Sequence, residues 1–285
     1  MSEYSWINGE LTPIQQANIS VLDHGVLYGD GIFEGMRVYH NKVFKLYEHL
    51  ERLMASAKAL HIAVPYSVDE LSDACNGLIE KNALSNGYIR LLVTRGEGSL
   101  GLNPKNCHTS NVIILYRELQ MMDNKILQTG ANLITASYRR TPIDVINPKI
   151  KSLNYVNNIL AKIEANNAGA DDAILLNHQG YITEATAANV FIVKNNTLIT
   201  PSTEVEILEG ITRNTIIELA EQSGIKVLEK KITTFDFYSA DEAFLTGSGA
   251  ELIPVKQLDA RVLNNSPGPV YQSLLSAFQA AVLAY

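Results

Sequence analysis

The chain has 285 residues, 46% hydrophobic and 19% charged, with a mean hydropathy of +0.01. That mixture excludes a disordered chain and fits a globular protein of two α/β domains or one large one. Net charge is 23 − 30 = −7 with no basic block, which argues against nucleic acid as a partner. No apolar run of about 18 residues is present to span a membrane.

In chain order, Tyr4-Ser-Trp-Ile before Asn8-Gly9 predicts a strand pair closed by a tight turn. Residues 31–39 read as a strand, His40-Asn41-Lys42 as a turn, and 43–46 as a further extended piece. Apolar residues at 46, 50, 53, 57 and 60 recur at helical spacing, and 68–82 forms a second amphipathic pattern. Strands are predicted at 87–94 and 111–116, separated by a glycine-rich loop from Arg95 long enough to be functional. Residues 117–129 lack periodicity, so the expected division is a domain of 1–120, a linker of 121–129 and a domain of 130–285.

In the second half, 131–137 predicts a strand and 139–149 an irregular segment with Pro142 and Pro148. A helix is predicted from Ser152, with Leu153, Val156, Leu160 and Ile163 on one face and Gly169 closing it. Two hairpins follow, around 177–180 and 194–196, then a helix over 212–223 and a final strand at 243–246 running into Gly247-Ser-Gly249. The amino terminus carries no basic and apolar leader. Cys75 and Cys107 come without a CxxC or clustered histidine, so no metal site is expected and a cytoplasmic setting is the default.

Lys151 stands where the irregular segment meets the predicted helix. The helix dipole and burial would both disfavour its ammonium form and free the amine for Schiff-base chemistry. Taken alone, a solvated lysine is the commoner case, and Lys149 competes two residues away. Gly210-Ile211-Thr212 opens a helix, and its N–H groups and hydroxyl suit an anion such as phosphate, unless Thr212 is simply an N-cap. Gly247-Ser248-Gly249 offers a similar nest. Glu184, beside small residues, could face a heteroaromatic nitrogen and keep it protonated, as pyridoxal chemistry requires, or be an ordinary strand-end carboxylate. Arg37 and Arg90 lie on predicted strands and are either paired internally or available to a carboxylate. Tyr28, Tyr88 and Tyr155 are donors or packing residues.

Six segments occur together and in order: Tyr28-Gly-Asp-Gly-Ile-Phe-Glu-Gly-Met-Arg37, Glu48-His-Leu-Glu-Arg-Leu53, Lys151-Ser-Leu-Asn154, Thr183-Glu184 with Asn189-Val-Phe191, Glu209-Gly-Ile-Thr-Arg213, and Gly249-Ala-Glu-Leu-Ile-Pro254. In these the chain resembles the class IV, fold-type IV pyridoxal-phosphate aminotransferases over nearly its whole length. The resemblance implies a two-domain α/β (α+β) fold with the active site at the domain interface and Lys151 in the C-terminal domain. It also implies pyridoxal 5′-phosphate as cofactor and Lys151 as the Schiff-base lysine and proton shuttle. Glu184 would pair with the ring nitrogen and Tyr155 with the 3′-oxygen, and Arg52, Ile211, Thr212 and Ser248 would hold the phosphate. Tyr28, Phe33, Gly35, Arg37, Tyr88, Arg90, Gly249 and Ala250 would shape the substrate pocket.

Phe33-Glu-Gly-Met-Arg37 and Tyr88-Ile-Arg90 are similar to the branched-chain enzymes, which implies transfer from leucine, isoleucine or valine to 2-oxoglutarate by a ping-pong route. A homodimer is implied as well, with residues 98–103 as the loop reaching the neighbouring site. Rival readings are a D-amino-acid aminotransferase, an aminodeoxychorismate lyase and a noncatalytic cofactor-binding protein. Ala185 and Ser248-Gly249 depart from the usual pattern and bear on substrate range.

Overall fold

A computed structural model describes residues 3–83, 85–118 and 124–285. The chain divides into two compact units. One comprises the described residues of Met1–Gln120 with Ile150–Asn154 and Tyr285, and the other those of Met121–Lys149 with Tyr155–Ala284.

In the first unit, β1 (Tyr4–Ile7) and β2 (Glu10–Pro13) form the expected hairpin, with Asn8 at φ 50° and Gly9 at φ 101°. A short helix α1 (His24–Tyr28) precedes β3 (Gly31–Tyr39), and β4 (Lys42–Val43) returns along it. Helices α2 (Leu46–Ala59) and α3 (Val68–Asn82) follow, then β5 (Gly87–Thr94) and β6 (Asn111–Arg117). The six strands pair antiparallel in the order β2-β1-β6-β5-β3-β4. Strand alternation sends Ile32, Met36, Val38, Ile89, Leu91 and Val93 to one face, where they pack with Leu50 and Leu53 of α2 and Leu71 and Leu78 of α3. Phe33, Gly35, Arg37, Tyr88 and Arg90 fall on the other face. The extended piece expected at 43–46 stops at Val43, because Lys45 adopts φ 52° and turns the chain into α2.

The second unit begins with α4 (Asn124–Thr129), β7 (Ala131–Arg139), α5 (Val156–Asn167), β8 (Asp172–Leu176) and β9 (Ile182–Ala185). Then come β10 (Asn189–Lys194), β11 (Thr197–Pro201), α6 (Ile211–Gln222), β12 (Lys226–Lys230) and α7 (Thr234–Tyr238). It ends with β13 (Glu242–Gly247), β14 (Glu251–Leu258), β15 (Arg261–Val262) and α8 (Pro269–Ala284). Its mixed sheet runs β12-β11-β10-β13-β14-β7-β8-β9, with β15 paired to β14.

Four expectations change. The strand at 243–246 is not the last element, since β14, β15 and α8 follow it. The expected linker residues 121–123 lie outside the described residues, and 124–129 forms α4. The predicted helix from Ser152 begins at Val156, because residues 150–154 belong to the first unit: Ser152 bridges antiparallel to Ile32, and Leu153 donates to the Gly31 carbonyl at 2.9 Å. Lys151 therefore travels with the N-terminal sheet rather than with 130–285. Finally, α5 turns small residues inward. Ala161 and Ala165 pack on Ala136, Ala173 and Leu175, which brings the helix close to the sheet, while Val156 and Ile163 remain 66% and 48% exposed.

Candidate active site

Lys151 does not sit at a helix amino terminus. Its carbonyl accepts from the Phe33 N–H at 2.9 Å, and its own N–H donates to Ser56 Oγ of α2 at 3.3 Å, so both of its backbone groups are tied down. Its Nζ lies 4.6 Å from the centre of the Phe33 ring. The same strand face carries Arg90, whose guanidinium carbon is 4.6 Å from the Phe33 ring centre and 5.5 Å from that of Tyr88. Gly35 pairs across from Arg90, and a Cβ there would stand 1.7 Å from the Tyr88 hydroxyl oxygen, so glycine is required for Tyr88 to occupy this position. Burial raises the Tyr88 pKa, with the neighbouring Arg90 charge opposing that rise. Arg37, opposite Tyr88 in register, packs its guanidinium 5.2 Å from the Tyr39 ring centre.

Phe33, Gly35, Tyr88, Arg90 and Lys151 are thus brought together, with Arg37 beside them. Tyr28 goes elsewhere: its hydroxyl accepts from the Gly101 N–H at 2.9 Å and its ring packs edge-on against His24. Lys149 pairs with Glu209 at 2.6 Å, a contact within the second unit.

Behind Phe33, on the helix-facing side of β3, Glu34 is fully buried. Its two oxygens accept from Arg52 Nε at 2.7 Å and Nη2 at 2.8 Å, and His49 Nδ1 lies 2.8 Å from Oε2. Burial alone would raise the Glu34 pKa, but hydrogen bonds from Arg52 and His49 with their charges bring it down to about 2. Burial lowers the pKa of His49 against the pull of Glu34. Sequence reasoning passed over Glu34 and His49. Strand parity places Glu34 among Ile32 and Met36, where a carboxylate needs partners, and His49 and Arg52 share one helix face at i, i+3.

In the second unit, Glu184 is buried on β9, and its carboxyl group is held at both oxygens. Arg140 Nη2 lies 2.7 Å from Oε1, while Oε2 accepts from the Leu208 N–H at 2.9 Å and from Asn189 Nδ2 at 3.5 Å. Asn158 takes a hydrogen bond from Arg140 Nη1 and passes one to the Thr186 carbonyl. Of these partners, Arg140 lies in a stretch expected to be irregular and Asn158 carries no motif, while Asn189 falls in a matching segment that gives it no role of its own.

Ile211 and Thr212 are buried in the first turn of α6. The N-cap is Gly210 rather than Thr212, and it supplies no side-chain hydrogen bond to the helix end. A Cβ on Gly210 would lie 2.0 Å from Asn189 Oδ1. Ser248, Gly249 and Ala250 form the half-buried turn joining β13 to β14, and Tyr155 sits immediately before α5. Among the described residues no cluster suits a metal ion, and no helix is long and apolar enough to cross a membrane.

Residues 31–258 match the family described as Amino-transferase class IV, and the chain belongs to that family. Its relatives include a putative branched-chain-amino-acid aminotransferase of Methanocaldococcus jannaschii, 45% identical over 96% of this chain and 94% of the relative. The crystal structure of the Escherichia coli branched-chain amino acid aminotransferase superposes with a TM-score of 0.95 at 35% identity, covering 98% of this chain and 94% of the other. A branched-chain amino acid aminotransferase of T.th., complexed with N-(5′-phosphopyridoxyl)-L-glutamate, gives 0.93 at 36% identity, covering 99% and 94%.

Proposed function

We propose that this protein is a pyridoxal-5′-phosphate-dependent branched-chain-amino-acid aminotransferase, moving the amino group of L-leucine, L-isoleucine or L-valine to 2-oxoglutarate in two half-reactions. The observation that carries this reading is Lys151 held over Phe33, on the strand face that also presents Gly35, Tyr88 and Arg90.

The donor set fits the cofactor. An α6 end without a side-chain cap, with a buried threonine in its first turn, suits a phosphate, and a buried, doubly anchored carboxylate suits a protonated ring nitrogen. When bound, pyridoxal phosphate supplies the electron sink that makes the substrate α-proton labile. In this reading Arg52, Ile211, Thr212 and Ser248 hold the phosphate, Tyr155 donates to the 3′-oxygen, and Glu184 keeps the ring nitrogen protonated. Lys151 binds the cofactor through its amine and carries the proton to and from the substrate α-carbon. Tyr88, Arg90 and the Ser248 to Ala250 backbone orient the substrate carboxylate. Phe33 and Gly35 leave an apolar wall for a branched side chain, and Arg37 serves the second carboxylate of 2-oxoglutarate or glutamate. The glutamate adduct bound by the T.th. relative supports that dual role.

The reading includes a homodimer with Tyr28 and residues 98–103 reaching the neighbouring site, and a cytoplasmic setting. Both cysteines are free thiols, as suits a reducing compartment. Single-turnover spectroscopy of the cofactor-loaded protein tests the activity: L-leucine and L-isoleucine should convert the cofactor to pyridoxamine phosphate rapidly, D-alanine and D-glutamate slowly. Fast conversion by the D-acids alone would replace this reading with a D-amino-acid aminotransferase.

A further inference from the structure

Thr246, near the end of β13, is 1% exposed, and its hydroxyl has no hydrogen-bond partner among the described residues. Three other buried threonines of the same unit donate to carbonyls, Thr183 to Leu175 at 2.9 Å, Thr200 to Val190 at 2.7 Å and Thr215 to Ile211 at 2.9 Å, and Thr186 donates to Asp172 at 2.6 Å. A buried hydroxyl left alone carries its desolvation cost with no return, and valine would fill the same shape without that cost. The remaining buried positions of β13 after Glu242 are Ala243, Phe244 and Leu245, so an apolar residue would suit the strand.

The place of the hydroxyl is set by pairing. Thr246 stands directly opposite Asn189 on β10, and residues opposite one another project from the same face of a sheet. On that face the Asn189 amide donates to the Leu208 carbonyl at 2.9 Å, and its oxygen crowds Gly210, the N-cap of α6. Thr246 therefore belongs to the face on which the uncapped α6 terminus sits. The Glu184 carboxylate, 3.5 Å from Asn189 Nδ2, shares the neighbourhood without taking a hydrogen bond from Thr246.

We propose that Thr246 is a further cofactor-binding residue, its hydroxyl donating to the phosphate held at the α6 terminus, directly or across one ordered water. This rests on the reading of that terminus as the phosphate site. The test is titration of the full chain, stripped of cofactor, with pyridoxamine 5′-phosphate and with pyridoxamine. Wild type should prefer the phosphorylated ligand strongly. Thr246→Val should lose about tenfold in affinity for it, as one hydrogen bond to a charged group implies, while changing less than about twofold for pyridoxamine. Thr246→Ser should recover the loss. The melting temperature of stripped Thr246→Val should be no lower than that of wild type, because no hydrogen bond is broken there. Should that variant not fold, Thr246→Ala carries the same comparison. Equal losses for both ligands, or an unchanged preference, would overturn the role of Thr246 alone. A wild type that does not distinguish the two ligands would overturn the phosphate reading, and this inference with it.

Discussion

Glu34 shows how a single buried charge is made tolerable and what it then controls. A carboxylate on the core face of a strand would be neutral without partners. Here Arg52 grips both oxygens and His49 one of them, so it stays ionised down to about pH 2. Because its folded pKa lies below its ordinary value of 4.5, the stabilisation is present above that pH and is lost as pH falls toward 2. The shift corresponds to about 3 kcal/mol. Glu34→Gln should therefore cost about 3 kcal/mol at pH 7 and flatten the acid limb, as read by urea unfolding at a series of pH values. A wild-type-like decline in the variant would assign the acid limb to other groups. Lys151 is tested covalently. Borohydride reduction of the loaded protein should leave a pyridoxyl mass on the Lys151 peptide, and Lys151→Ala should abolish both the label and transamination. A label on Lys149 would exchange the two lysines' roles.

Among the elements, the β3–β5 pair does the most to shape the site. Its register sets Gly35 against Arg90 and Arg37 against Tyr88, and the missing side chain at Gly35 makes room for the Tyr88 hydroxyl. Gly35→Ala should displace Tyr88, raising KM for L-leucine severalfold while the cofactor absorbance of the resting protein stays unchanged. An unaltered KM would remove Tyr88 from the substrate pocket. Both strands are legible in the sequence over 31–39 and 87–94, whereas their pairing and register come from the tertiary structure. Helix α5 departs from its periodicity for a complementary reason. Periodicity finds the apolar stripe, but close packing on the sheet favours the alanine face, leaving Val156, Ile159 and Ile163 outside. Helix α8 was overlooked although Tyr271, Leu274 and Phe278 repeat at helical spacing and are all buried.

For the whole molecule, the first unit exposes several large apolar side chains. Val26 on α1, Val21 just before it, and Leu100 and Leu102 on the loop after β5 are 59% to 81% exposed, and the two segments are joined by hydrogen bonds from Gly98 to Leu22 and from Gly101 to Tyr28. A second copy of the chain is the proposed cover. Sedimentation should give a dimer at micromolar concentration, and Leu102→Asp should shift it toward monomer and reduce activity together. A wild type that sediments as a monomer with full activity would dissociate Tyr28 and residues 98–103 from catalysis.

The sequence by itself determined the α/β class, most strands and helices, and, through six ordered motifs, the family and its candidate lysine. These signals are local: turn residues, alternation and helical spacing act over a few positions, and motifs are read without folding the chain. Only the tertiary structure decided that Lys151 lies on an extended segment against β3 rather than at a helix end, and that Glu34 meets Arg52 across 18 residues of sequence. It likewise placed Arg140 and the Leu208 N–H on Glu184, and Thr246 on the face of the α6 terminus. Those pairings depend on which strands become neighbours, and a buried charge or hydroxyl takes its meaning from the group that topology sets beside it.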